Sequence, residues 1–200
     1  MGAKTKNLKV MLKKEINVHE FTNAKDLEEL LEYAKDNPKF SIRFDRDTNY
    51  KQLPFYTYKK GDFNSKEEEL AFFTKIAKEA KKMNCTLLCS NGLQYDNIQI
   101  CNFVICFTDK ENFVLEWSTK KVALRNMYEY PTTILKGNIK DDIKDMECIQ
   151  PKENRLDKKD IEKILVWALS LKKLNKSIEG TLYPKKVGML KQEIVCWQID

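Results

Sequence analysis

Cysteine and histidine are the usual ligands of zinc and recur in catalytic sites, and this chain holds six cysteines and one histidine. No two cysteines form a CxxC pair, and the nearest spacing is Cys85-x-x-x-Cys89. His19 has no cysteine, serine or second histidine at a useful spacing, so we expect it at the surface. We therefore expect no tightly bound transition metal and no cofactor, and we interpret the four cysteines in apolar, strand-like surroundings as reduced core residues.

Arginine is scarce, because lysine supplies all but four of the 36 basic residues. Arginine and tyrosine side chains are typical of protein–protein interfaces, so their clustering indicates a partner surface. The alternative is that the arginines pair with neighbouring acids, while Phe55 packs in the core and the tyrosines lie at its rim. The predicted binding residues are Arg43, Arg46, Tyr56, Tyr58, Arg125 and Tyr128.

A run of lysines opens the chain and suggests a different ligand. Residues 1–14 contain five lysines and no acid, so they supply +5 of the net charge of +6. Such a segment can neutralise nucleic-acid phosphates, which makes nucleic acid the alternative partner. The remaining residues are nearly balanced in charge, and this favours a protein partner. The five lysines are Lys4, Lys6, Lys9, Lys13 and Lys14.

Three helices are predicted from capping residues and apolar periodicity. The first begins near Asn23, the second begins at a capping box from Ser65 to Glu68, and the third is capped by Asp157. Each is followed by apolar residues at helical spacing. The predicted core faces are Leu27, Leu30, Leu31 and Ala34; Leu70, Phe73, Ile76, Ala77 and Ala80; and Ile161, Ile164, Leu165, Ala168 and Leu171.

Strands are predicted between these helices. Residues 40–45 alternate between apolar and polar side chains, and residues 53–58 form an aromatic segment. Residues 84–121 read as three consecutive strands, of which Ile98–Phe107 is apolar on both faces in its second half and is the central one. Residues 138–157 are polar and acidic, and we interpret them as a long loop.

A helix followed by a hairpin that carries an acid resembles the PD-(D/E)XK nuclease fold in the order of its elements. The resemblance covers roughly residues 65–121, and it implies that Glu116 would be a metal-binding carboxylate. Ser118 stands where the family has its lysine, and Asn102 stands where it has an acid on the preceding strand. The resemblance therefore implies a degenerate nuclease scaffold, with Glu116 otherwise a solvated strand carboxylate.

These patterns together predict a single α+β domain with a largely antiparallel sheet and about three packed helices. Residues 1–14 form a basic lead-in, disordered or an edge strand, and residues 15–200 form the domain. No secretory signal and no apolar run of transmembrane length are visible, so we expect a cytoplasmic protein of unassigned oligomeric state. The leading hypothesis is a non-enzymatic intracellular interaction protein that engages a protein partner. The alternatives are a nucleic-acid-binding accessory protein and a degenerate nuclease.

Overall fold

The computed structural model describes residues 2–47, 53–95, 97–119, 133–149, 155–171, 177–184 and 193–199. These residues form two compact units. The first unit contains residues 1–15 and 19–97, and the second contains residues 16–18 and 98–200. Arg125 and Tyr128, two of the predicted binding residues, lie outside the described residues.

The first unit is a four-stranded antiparallel sheet with helices. Its strand order is β1-β4-β2-β3, with β2 paired to both β3 and β4. The strands are β1 (Phe21–Ala24), β2 (Lys39–Asp45), β3 (Phe55–Lys59) and β4 (Thr86–Ser90). The helices are α1 (Ala3–Lys13), α2 (Leu27–Asp36) and α3 (Lys66–Lys82), and a 3₁₀ helix covers Asn91–Tyr95.

One face of β2 builds the core of this unit, because alternate residues of a strand point to opposite faces. Phe40, Ile42 and Phe44 are fully buried on the face that packs with residues of α2 and α3. Tyr58 of β3 is opposite Phe40 and lies 4.9 Å from it between ring centroids. The tyrosines of β3 therefore contribute to the core, whereas Phe55 is 52% exposed. This is the reverse of the expected arrangement.

The second unit is a six-stranded antiparallel sheet with one described helix. Its strand order is β10-β9-β5-β6-β7-β8. Helix α4 lies against β9, and the Trp167 ring is nearly perpendicular to the Phe103 ring of β5, with 5.7 Å between the ring centroids. The elements are β5 (Cys101–Phe107), β6 (Asn112–Ser118), β7 (Thr133–Asn138), β8 (Glu147–Ile149), α4 (Lys158–Leu171), β9 (Ser177–Leu182) and β10 (Ile194–Ile199), with a 3₁₀ helix at Ile143–Asp145.

The α+β prediction with antiparallel pairing is confirmed, and the fold has two sheets and four described helices where we expected about three helices. The three strands predicted in residues 84–121 exist, but β4 joins the first sheet while β5 and β6 belong to the second. Strand pairing depends on contacts distant in sequence, so a local pattern identifies a strand without identifying its sheet. The boundary between a lead-in and one domain at residue 14 stays a prediction.

The basic lead-in is a helix rather than a strand or an unstructured arm. Its first turn is held by Asp45, a buried carboxylate that accepts hydrogen bonds from the backbone N–H of Lys4 at 3.0 Å and of Thr5 at 3.1 Å. The Thr5 hydroxyl donates to the same carboxylate. Asp45 therefore satisfies backbone donors that the start of a helix leaves open, which sequence spacing could not show because Asp45 is 40 residues away.

No helix in the described part of the chain is both long enough and apolar enough to cross a membrane.

Candidate functional site

A groove in the second unit is the strongest candidate site in the described residues. It has a volume of about 390 Å³ and lies between one face of α4 and the segment that joins β7 to β8. Its volume is in the range of small-molecule sites. The lining residues are Phe107, Phe113, Ile139, Asp141, Asp142, Ile143, Met146, Lys158, Glu162, Leu165, Val166 and Leu169.

The floor of the groove is apolar because two phenylalanines meet at the end of the β5–β6 hairpin. Phe107 and Phe113 are directly opposite each other across the strands and are 8% and 2% exposed. Gly137 of β7 is paired with Phe113, and an added Cβ there would lie 2.5 Å from the Met146 sulfur. The missing side chain at Gly137 thus lets Met146 lie against the sheet and form part of the wall.

Helix α4 supplies the other wall through residues spaced three or four apart. Lys158, Glu162, Leu165 and Leu169 follow this spacing, so they share one side of the helix. Val166 extends the stripe and is 69% exposed. Covering it with a ligand would contribute roughly 1–2 kcal/mol, since burying a whole valine side chain contributes about 1.5–3 kcal/mol.

The rim of the groove is acidic. The lining carries three carboxylates and one ammonium, a net charge of −2 in a chain whose total is +6. Lys158 Nζ lies 3.0 Å from Asp142 and 3.8 Å from Glu162. Lys158 is the main cause that lowers the pKa of the Asp142 carboxyl. Among the described residues, the exposed Asp141 carboxylate forms no ion pair. The rim therefore favours a basic group.

The sequence does not predict this wall of the groove, because residues 138–157 have the polar pattern of a long loop. The segment instead contains the end of β7, the 3₁₀ helix and β8. Asp142 caps the 3₁₀ helix by accepting from Lys144 N–H at 3.5 Å. The available signal was the presence of Ile139, Ile143 and Met146 in an otherwise acidic stretch.

The predicted binding residues that the structure describes, Arg43, Arg46, Tyr56 and Tyr58, lie in the first unit. Arg43 and Phe55 share one face, with the guanidinium 5.6 Å from the ring centroid. Tyr56 and Tyr58 point to the opposite, core-forming face, because their partners across the strands are Ile42 and Phe40. The structure therefore does not bring Arg43 together with the two tyrosines.

The remaining contacts of these residues hold elements of the first unit together. The Tyr56 hydroxyl donates to Glu79 at 2.6 Å, and the Tyr58 hydroxyl donates to Glu69, so both tie β3 to α3. These carboxylates contribute to raising the pKa of each phenol, led by the hydrogen bond at Tyr56 and by burial at Tyr58. The Arg46 guanidinium donates to the Met83 carbonyl at 3.4 Å.

The lysines of the nucleic-acid alternative are arranged around α1. Lys4 is half-buried, with its ammonium 3.5 Å from the Phe44 carbonyl, and Lys6 forms an ion pair with Asp47. The other three lysines are exposed: Lys9, Lys13 and Lys14.

Glu116, the residue of the nuclease alternative, lies on β6 opposite Val104 and Ile134. Neither position supplies a second carboxylate or a lysine. Across the described residues there is no group of three or more histidine, cysteine or acidic side chains that could hold a metal ion.

His19 is buried rather than exposed, with 4% of its surface accessible. Its ring stacks on Tyr95 at 5.8 Å between centroids. Burial, with a smaller contribution from the Arg43 guanidinium, lowers the pKa of His19 to about 4. The surface expectation was wrong because a lone histidine has no sequence pattern that reports its depth.

Comparisons with known proteins give no match to a protein-family model and no match to a curated protein. Among solved structures, the chain is similar to macrocyclase MdnC bound with precursor peptide MdnA from Microcystis aeruginosa MRC, with 12% identity and a TM-score of 0.47. It is also similar to a Chryseobacterium gregarium RiPP-associated ATP-grasp ligase in complex with ADP and a leader and core peptide, with 9% identity and a TM-score of 0.46.

The matches cover 98% and 97% of this chain, but the chain spans only about half of each solved structure, 51% and 50%. Both similar proteins are named as enzymes, so the expectation of a non-enzymatic interaction protein is contradicted and is withdrawn together with its two alternatives.

Proposed function

We propose that the unit containing residues 98–200 recognises a peptide substrate, an apolar segment that carries a basic side chain and docks in the groove beside α4. The observation that carries this proposal is the combination of an apolar floor, a highly exposed valine and an acidic rim in one groove. A small, wholly polar ligand would leave the floor of Phe107 and Phe113 without a complement.

Each part of the groove selects a feature of the peptide. The phenylalanine floor and Val166 favour branched or aromatic side chains, because these remove apolar surface from water. The Asp141, Asp142 and Glu162 carboxylates favour lysine or arginine, since charge complementarity at a rim steers association and selects among partners.

Docking at such a groove suits an enzyme that acts on peptides. Binding energy from a part of the substrate remote from the reacting bond can be used to orient that bond. In this proposal the enzymatic step belongs to the whole protein, and the groove determines which peptide reaches it.

Peptide-display selection against the purified chain tests this proposal. Peptides enriched on the chain should combine apolar residues with lysine or arginine, and one enriched peptide is then synthesised for calorimetry. Val166→Ser should weaken its binding about 5- to 30-fold, which corresponds to roughly 1–2 kcal/mol.

Leu70→Ser is the matched control, because Leu70, which the sequence predicts on a core face, is instead an exposed apolar residue of α3 in the first unit, 47% accessible. It should leave the affinity unchanged. Failure to enrich any peptide, or equal losses in the two variants, would show that the groove is not the docking site.

A further inference from the structure

Lys158 occupies an unusual place in the groove, because it is the only basic residue among the lining residues named above. Its ammonium lies between the two walls, 3.0 Å from Asp142 on one side and 3.8 Å from Glu162 on the other. Glu162 is one turn along the same helix, whereas Asp142 belongs to the segment between β7 and β8. The lysine therefore joins both walls through their carboxylates.

This arrangement resembles a site already filled by its own ligand. Asp142 and Glu162 are rim carboxylates that would meet a cationic group of a docked peptide, and in the structure the Lys158 ammonium lies against both. The Lys144 ammonium is a second, more distant partner of Asp142 alone, at 3.8 Å. The Lys158 side chain is 55% exposed. An exposed ion pair is worth little and is readily exchanged for another, so the ammonium can leave without disrupting the fold.

We infer that Lys158 is a built-in competitor that tunes the specificity of the groove, holding Asp142 and Glu162 until a lysine or arginine side chain of the peptide replaces it. The inference rests on the proposed function, since it concerns how the same groove selects its peptide. Lys158 therefore makes the groove more selective. A peptide with a well-placed cation can displace Lys158 and pair with the rim carboxylates, whereas an apolar peptide without a cation obtains no affinity from the rim.

The test compares two peptides and two variants of the full chain. The peptides are a basic peptide enriched on the chain and its analogue with norleucine or citrulline in place of the basic residue. The variants are Lys158→Gln and Lys159→Gln. Lys159 is exposed, adjacent in sequence and absent from the groove lining, so its substitution removes the same charge without removing the competitor.

Lys158→Gln should strengthen binding of the basic peptide by about two- to fivefold, the scale of an exposed ion pair. Lys158→Gln should leave the affinity for the neutral analogue unchanged. Lys159→Gln should leave the affinity for both peptides unchanged at about 0.15 M salt, where exposed charges farther apart than roughly 8 Å are screened. Glu162→Gln should weaken binding of the basic peptide and leave binding of the neutral analogue unchanged.

The failures are distinguishable. Suppose that the wild-type chain binds the basic peptide. If Lys158→Gln then weakens binding of that peptide, or changes the affinity for both peptides equally, Lys158 is an ordinary contact and this inference alone is wrong. If neither the wild-type chain nor Lys158→Gln binds any peptide, the proposed function fails and the inference falls with it.

Discussion

The buried histidine makes the stability of the first unit depend on pH in a direction that can be worked out. Burial and Arg43 lower the pKa of His19 from 6.5 to about 4, so the folded chain resists protonation of this ring while the unfolded chain accepts it. The free energy of unfolding is therefore highest above pH 6.5 and falls as the pH drops towards 4. The full difference is about 3.4 kcal/mol, at about 1.36 kcal/mol per pKa unit.

Urea unfolding at a series of pH values measures this loss. Between pH 7.5 and 4.5 the free energy of unfolding should fall by about 2.5 kcal/mol more in the wild-type chain than in His19→Gln, which has no titrating ring. That is a large share of the roughly 5–15 kcal/mol that stabilises a typical domain. The variant serves as the control for every carboxylate that titrates in the same range.

The chain has a single histidine, so the NMR signal of the proton on its ring Cε1 is assigned without ambiguity. Its titration midpoint should lie far below 6.5 in the folded chain. A midpoint near 6.5, or parallel stability curves for the wild-type chain and His19→Gln, would refute the reasoning.

Two further predictions concern packing and capping. Gly180→Ala should cost about 1–3 kcal/mol in urea unfolding, because a Cβ there would lie 2.7 Å from the Phe103 ring and 3.0 Å from a backbone carbonyl. Phe103→Leu in the same chain should offset part of that cost, so strictly additive losses would contradict the explanation. Asp45→Asn should cost about 1–3 kcal/mol and speed amide hydrogen exchange in α1, since a buried acceptor of backbone N–H groups is weakened. Asp47→Asn, at an exposed carboxylate paired with Lys6, should cost under about 1 kcal/mol, and an equal effect on α1 would count against the capping role.

Local patterns predicted the elements well where one segment carried its own signal. The predicted Ser65 cap is present, since the Ser65 hydroxyl accepts from Glu68 N–H at 3.1 Å, while the Glu68 carboxylate reaches back to the N–H of Asn64, one residue before the cap, at 2.8 Å. The predicted core face of α4 is buried as expected, and so are Cys101, Phe103 and Ile105 of the central strand β5. Cys106, which we expected to be covered, is only half-buried.

Predictions failed where the deciding contact is distant in sequence. The second helix begins after Asp26 rather than Asn23, because Asn23 belongs to β1 and pairs with Leu88. The face of the sheet to which Tyr58 points is set by its register with β2, where it is opposite Phe40. The groove depends on a hairpin, a loop and a helix that meet only in the folded chain, so its parts were predicted separately or not at all.

The buried cysteines have a consequence for how opening of the two units can be followed. Burial raises the pKa of the Cys89 thiol to about 12 and also raises that of Cys101, so neither offers a thiolate to an alkylating reagent while its sheet is closed. Cys89 lies in the four-stranded sheet and Cys101 in the six-stranded sheet. Their alkylation rates in the native chain would therefore time the opening of each sheet separately, without an engineered cysteine.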